Sequence, residues 1–263
     1  MAEGHAVVRW ARRLQPLVGE PLVDVEMPKR WGERPRALVG QRITGVETRG
    51  KHLLTHLSGG ETLHTHGAQY GSWQVGERGM ALRKDARHVR LRLATDTHEA
   101  VFYHGPTVEL LAPAELARHE RLNALGPDVM AGDFDRGEAA RRLRASDEPV
   151  GPALLDQRVV AGVGNIYKSE GLFLARISPF RPAADVTDAE LERLWDRLIP
   201  LMWSGTERWG RTLTTPPELQ AQGHERWVYQ RKGKPCLVCG TPIEKAGQGA
   251  HDRATYWCPV CQV

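Results

Sequence analysis

Four cysteines constrain this chain more than any other residues do. They are its whole complement, and they form two Cys-x-x-Cys pairs, Cys236/Cys239 and Cys258/Cys261, with eighteen residues between the pairs. That spacing matches a tetrahedral Zn²⁺ site closed by four thiolates. Disulfides or buried thiols are the competing reading, but Gly and Pro turn residues beside each pair suit a metal knuckle. Four protein ligands leave no position for water, so the zinc is expected to be structural. The knuckles would tie together a short strand before Cys236 and another around Thr255–Trp257. A hairpin this small buries too little apolar surface to fold alone, so the metal would supply its folding free energy. Around it lie Arg226, Arg231, Lys232, Lys234, Lys245 and Arg253, beside Trp227, Tyr229, Tyr256 and Trp257. Basic and aromatic side chains together suit nucleic acid.

The chain has 263 residues, enough for one large or two ordinary domains besides this appendage. A net charge of +4 permits a phosphate-rich partner without demanding one. Arg9, Arg12, Arg13, Glu20 and Asp24 interrupt the N-terminal region, which reads as neither signal peptide nor membrane span. Cysteine used only for metal fits a reducing cytoplasm.

Val7, Trp10, Ala11 and Leu14 recur at helical spacing, and Pro16 and Gly19 end that pattern. A helix starting almost at the terminus places the α-amino group and Glu3 at its positive end. The dipole there disfavours a protonated amine and lowers its pKa from the usual value of about 7.7 to 8.0. From residue 42 the period changes: 42–49, 51–57, 61–66, 88–93 and 100–103 alternate between Gly, Ser or Asp turns. Such strands imply an antiparallel sandwich or barrel. Lys51 follows Gly50 in a tight turn, where a lysine is either a solvated charge or a phosphate or sugar contact at a groove. Beyond Gly126-Pro127 the pattern becomes helical, at 134–144, 152–158, 165–175 and 187–203. Within it, Gly162-Val-Gly164-Asn165 reads as helix, glycine turn, helix, with N–H groups able to face an anion. No strand precedes it and no third glycine follows, which disfavours a dinucleotide fingerprint.

Taken in order, Glu3-Gly4, Val46-Glu-Thr-Arg-Gly-Lys51, Leu63-His-Thr-His66, Leu154-Leu-Asp-Gln157, Gly162-Val-Gly-Asn-Ile-Tyr-Lys-Ser-Glu170 and the cysteine pairs resemble the Fpg/Nei superfamily of DNA glycosylases across essentially the whole chain. The resemblance is closer to endonuclease VIII than to formamidopyrimidine-DNA glycosylase. It implies an α+β protein with an N-terminal helix and antiparallel β-sandwich (1–123), a helix-two-turn-helix domain (124–225) and a zinc-ribbon hairpin (226–263). DNA would lie between the halves. By the same match, the amine exposed when Met1 is removed, that of Ala2, attacks the sugar C1′, the base departs, and the Schiff base permits elimination of the flanking phosphates. Glu3 would handle protons at the sugar, and Lys51 would support charge beside it. Asn165 and Arg253 match phosphate-gripping positions, and His66 matches a further groove position.

Some positions depart from the family pattern. Residue 2 is Ala where the family usually has Pro, giving a primary amine that still forms an imine. Residue 6 is Ala where Glu is common. Ala68-Gln69-Tyr70 stands where endonuclease VIII has Gln-Leu-Tyr, leaving Tyr70 as the stacking wedge with Gln69 beside it. No Arg and Phe pair for probing the opposite strand is evident in 102–107. The expectation is a bifunctional glycosylase and abasic-site lyase for oxidised pyrimidines. It would be a monomer with structural Zn²⁺, bound to damaged DNA in the cytoplasm at the nucleoid. A purine-lesion or crosslink-specific relative and a non-catalytic binder are the alternatives.

Overall fold

The computed structural model describes residues 2–27, 34–207 and 211–263. The chain divides into two compact units, Met1–Ala124 and Leu125–Val263. The first opens with helix α1 (Gly4–Arg13), followed by strands β1 (Asp24–Glu26), β2 (Ile43–Arg49), β3 (His52–Leu57), β4 (Thr62–His66), β5 (Ser72–Glu77), β6 (Val89–Ala94), β7 (His98–Tyr103) and β8 (Thr107–Leu111). Two short helical turns, α2 (Pro113–Ala117) and α3 (Glu120–Asn123), close it.

The strands form two four-stranded antiparallel sheets, ordered β1-β6-β7-β5 and β2-β3-β4-β8. Alternation decides which side chains turn inward. Leu53, Leu57, Leu63, Val108 and Leu110 from one sheet meet Leu91, Leu93, Ala100 and Phe102 from the other, and α1 adds Val7, Trp10 and Leu14. Burying each large apolar side chain stabilises by about 1.5–3 kcal/mol, so this shared core fixes the sandwich.

Three of these strands were not expected from the sequence, and each has a physical reason. β1 is only three residues long. β8 begins directly after Pro106. In β5, buried Gln74 breaks the apolar alternation. The fold satisfies its side chain from a distance: Gln74 Oε1 accepts from the Tyr103 hydroxyl (2.8 Å), and Nε2 donates to the Ala81 carbonyl (2.8 Å).

The second unit contains α4 (Arg136–Arg144), α5 (Val150–Ala153), α6 (Asn165–Ala175), α7 (Asp188–Ser204), α8 (Pro217–Ala221) and a hairpin of β9 (Glu244–Gln248) with β10 (Arg253–Trp257). A capping box starts α7: the Thr187 hydroxyl accepts from Glu190 N, while the Glu190 carboxylate accepts from Thr187 N. The helix expected at 152–158 is replaced by α5 and a series of turns. The Asp156 carboxylate accepts from Arg158 N (2.9 Å), and Gln157 Nε2 donates to the Leu155 and Val163 carbonyls. These local bonds compete with helical ones.

The expected strand before Cys236 is also absent, and the hairpin partner of β10 follows Cys239 instead. Residues 227–229 give their N–H groups to the Glu170 carboxylate, which removes them from sheet pairing. Among the described residues, no helix is long and apolar enough to cross a membrane.

Candidate functional site

In the first unit, the N-terminal residues and one hairpin loop meet. Ala2 and Glu3 are both buried, at 7% and 0% exposure. Glu3 is the N-cap of α1, with extended backbone, and its carbonyl accepts from Ala6 N at 2.8 Å. Ala2 N donates to the Ala68 carbonyl at 3.3 Å, so the expected nucleophilic nitrogen lies on the β4–β5 loop. That loop is pinched shut by Gly71 N donating to the Gly67 carbonyl at 2.7 Å. A Cβ on Gly71 would come within 2.3 Å of Gly67 Cα, so the two strands of the loop can close this tightly only with glycine here. The pinch carries Ala68 at φ +45° and projects Gln69 and Tyr70 into solvent, Tyr70 being 69% exposed.

Lys51 is half-buried in the β2–β3 turn, where Gly50 has φ +57°. His66, at the end of β4, pairs in register with His52, the residue after Lys51. Burial, with the Lys51 charge next, holds His66 down to about 4 from 6.5. His5 on α1 is likewise held near 3 by burial, then by Arg9 and the N-terminal charge. Both rings are therefore neutral at pH 7. Phe102, a residue of the 102–107 stretch, is wholly buried with its ring centroid 5.1 Å from that of Trp73, and it has no surface from which to probe DNA.

In the second unit, the glycine turn and the hairpin are joined. Gln157 clasps the turn: Nε2 donates to the Val163 carbonyl, and Oε1 accepts from Gly162 N at 3.0 Å. Gly162 has φ +94°, and Gly164, with extended backbone, is the N-cap of α6. Asn165 Nδ2 donates to the Ala254 carbonyl at 2.7 Å, which ties α6 to β10 beside exposed Arg253. Asn165 Oδ1 is buried and accepts no hydrogen bond. One turn further along α6, buried Lys168 donates to Thr255 Oγ1 (2.7 Å), which in turn donates to Gln248 Oε1 (2.7 Å). The start of α6 and the cationic Arg253 are thus held on one framework.

The four cysteines converge. Their sulfur atoms lie within 4.8 Å of one another, with Cys236–Cys261 at 3.9 Å and Cys239–Cys258 at 3.5 Å. Disulfide sulfurs would be about 2.05 Å apart, whereas thiolates each about 2.3 Å from one tetrahedral Zn²⁺ stand about 3.8 Å apart. The cysteines fit zinc. Three of them pack with Phe173, Val228 and Ile243, so the metal would cross-link the knuckles to α6.

One expected surface cation proves internal. Arg231 is 7% exposed and donates to the Trp227 (2.6 Å) and Pro235 (3.0 Å) carbonyls, bracing the approach to Cys236. Sequence reasoning missed two supporting residues, Gln157 and Glu170. Both lie inside the motifs it singled out, but their neighbours, Asp156 and Arg158 for one and Ser169 and Gly171 for the other, give no hint of either role.

Comparison with known proteins covers most of the chain. Residues 1–107 match the formamidopyrimidine-DNA glycosylase N-terminal domain, 125–216 the H2TH domain of the same enzyme, and 233–263 the zinc finger found in FPG and IleRS. A probable endonuclease 8 2 of Streptomyces coelicolor is 38% identical, over 100% of this chain and 94% of that protein. The DNA-(apurinic or apyrimidinic site) lyase Nei2 of Mycolicibacterium smegmatis is 35% identical, over 100% of this chain and 99% of that protein. Lactococcus lactis formamidopyrimidine DNA glycosylase, non-covalently bound to DNA containing an AP site, superposes with a TM-score of 0.80 at 26% identity, over 99% of both chains. With a sandwich, a glycine-turn helix and a four-cysteine hairpin in this order, the chain belongs to the formamidopyrimidine-DNA glycosylase and endonuclease 8 family.

Proposed function

We propose that the protein is a base-excision repair DNA glycosylase and abasic-site lyase, acting on oxidised pyrimidines and abasic sites through the N-terminal amine of Ala2. The observation that carries this reading is the bond from Ala2 N to the Ala68 carbonyl. It supports the reading because the Ala2 nitrogen lies against the loop whose tip carries the exposed Tyr70, the ring proposed as the wedge. A base extruded from the stack leaves a gap that such a ring can fill, and the extruded sugar then meets the amine.

Once Met1 is removed, the neutral amine forms a bond from nitrogen to C1′ as the bond from C1′ to the base breaks, and the base leaves with a proton. Loss of the amine proton and ring opening give the imine. Loss of the C2′ proton then expels the 3′ phosphate. Glu3, buried at the cap of α1, holds and moves protons at the sugar, and Lys51 supports the developing charge. Asn165 and Arg253 grip phosphates beside the lesion, and His66, Gln69 and Tyr70 hold the lesion strand and the gap. Zn²⁺, held by Cys236, Cys239, Cys258 and Cys261, acts as a structural cross-link.

The preference for pyrimidine lesions over 8-oxoguanine draws support from buried Phe102, which leaves that segment without an aromatic probe. Three functional parts, 1–123, 124–225 and 226–263, are the working division, in a monomeric cytoplasmic protein associated with the nucleoid. Borohydride reduction during reaction with a duplex carrying one abasic site tests the reading. A permanent protein–DNA adduct should map to Ala2, and an extra N-terminal residue should prevent it. Absence of an adduct from protein whose N-terminus is verified as Ala2 would leave the non-catalytic binder. An adduct on Lys51 would keep the enzyme and replace its nucleophile.

A further inference from the structure

The face of the β2-β3-β4-β8 sheet turned away from the core carries a row of polar rings, of which the chemistry above uses only His66. His52 pairs with His66, His64 pairs with Glu109, and alternation puts all four on this face. His52 and His64 are nonetheless 4% and 1% exposed. His119, the N-cap of α3, sets its ring edge-on to His64 with centroids 5.1 Å apart.

The hydrogen bonds assign the ring protons of His119, His64 and His52. Leu122 N donates to His119 Nδ1 at 3.2 Å, so in the neutral ring the proton is on Nε2, which donates to Glu109 Oε2 at 3.1 Å. The same oxygen accepts from His64 Nδ1 at 2.7 Å. His64 Nε2 is then the acceptor for His52 Nδ1–H at 2.8 Å. The His52 ring lies against His66, with centroids 4.6 Å apart and planes tilted by 31°. A carboxylate thus anchors a chain of rings with one direction, ending on a residue of the proposed DNA-binding set.

We infer that Glu109, His64 and His52 form a positioning relay for His66, which fixes the orientation in which His66 meets the DNA backbone. The inference rests on the functional reading above for what His66 touches, but not for the relay itself. Charge supports it. Burial, then His66, His64, His119 and Arg121, holds His52 near 2, so the stacked pair is uncharged at pH 7 and its rings do not repel. A metal is the rival use of these groups, since donor atoms of His64, Glu109 and His119 lie within 4.8 Å of one another. The Leu122 N–H argues against it. It puts the His119 proton on Nε2, the nitrogen that would have to coordinate.

The test combines a spectroscopic and a binding measurement. Long-range ¹H–¹⁵N spectra of the wild-type protein should show His52 and His64 as Nδ1–H tautomers and His119 as Nε2–H. For a duplex with one tetrahydrofuran abasic analogue, His64→Phe, which keeps the ring volume but loses both hydrogen bonds, should weaken affinity about fivefold, as expected for coupling within one network. His64→Gln, which retains a donor and an acceptor, should stay within about twofold of wild type. In a His66→Ala background, His64→Phe should cost less than about twofold, because the relay then has nothing to position. An Nε2–H tautomer at His52 or His64, an equal loss in both backgrounds, or stoichiometric Zn²⁺ or Ni²⁺ bound at His64 would overturn the relay. If His64→Phe fails to fold, the tautomers in the wild-type protein decide the matter. A wild-type protein that does not bind the duplex removes the functional reading, and with it the role assigned to His66, while the tautomers still report whether the relay forms.

Discussion

Replacing Glu170 with alanine should be among the most damaging single changes in the second unit. Its side chain, 0% exposed, accepts the backbone N–H groups of Trp227 (2.8 Å), Val228 (2.9 Å) and Tyr229 (2.7 Å), and also the Thr214 hydroxyl. Truncation takes this acceptor from the three backbone N–H groups and leaves the Thr214 hydroxyl only its longer bond to the Glu225 carbonyl at 3.4 Å, and each unsatisfied buried group costs about 1–3 kcal/mol. Water entering the vacated space would recover part of this, so about 4 kcal/mol is expected, a large share of a total stability of about 5–15 kcal/mol. Glu170→Gln preserves the shape but turns two amide hydrogens toward groups that are themselves donors, so it should recover less than half of the loss. Urea unfolding followed by tryptophan fluorescence, with zinc release monitored in parallel, measures both effects. Because these bonds steer the chain into Cys236, zinc should escape at lower urea in both variants. An alanine variant within about 1 kcal/mol of wild type, or a glutamine variant equal to it, would refute this account of the carboxylate.

Acid should weaken the first unit well before carboxylates protonate. His5, His52 and His66 sit near 3, 2 and 4 instead of 6.5, so below pH 6.5 the unfolded chain takes up protons that the folded chain refuses. Their stabilisation is complete above that pH and falls as pH drops toward 4, at up to about 4 kcal/mol per pH unit for three protons. Urea midpoints that stay level from pH 7 to pH 5 would contradict this. Chelating zinc, or the change Cys258→Ser, should lower the melting transition of the second unit and abolish DNA binding while the sandwich keeps its circular dichroism, because the thiolates share a core with Phe173 and Ile243. Gly71→Ala drives a methyl group into Gly67 Cα and should cost about 1–3 kcal/mol, with a larger proportional loss of abasic-site cutting as the loop opens away from Ala2. Normal cutting by a fully folded variant would separate the loop from the chemistry. Arg253→Ala should weaken duplex binding and reduce its salt dependence by about one charge, whereas Asn165→Ala should weaken binding with a smaller change in slope.

Local order in the sequence was enough for much of this protein. Helical spacing predicted α6 at 165–175, where it occurs, and α1 and α7 nearly so. Period-two alternation found β2, β3, β4, β6 and β7, and cysteine spacing found the knuckles. These signals are legible because they depend on residues a few positions apart, whose side chains share a face or a turn whatever the rest of the chain does. Tertiary structure decided what distant partners supply. Gln74 is acceptable inside a strand only because Tyr103 and Ala81 satisfy it. Arg231 reads as a surface cation until nearby carbonyls turn toward it. Glu170 finds its acceptor role 57 to 59 positions along the chain, and Ala2 meets its loop only when α1 packs against β2 and β3. Burial lets such polar groups persist only if every donor finds an acceptor. No local pattern records that pairing, because it depends on which segments the fold brings together.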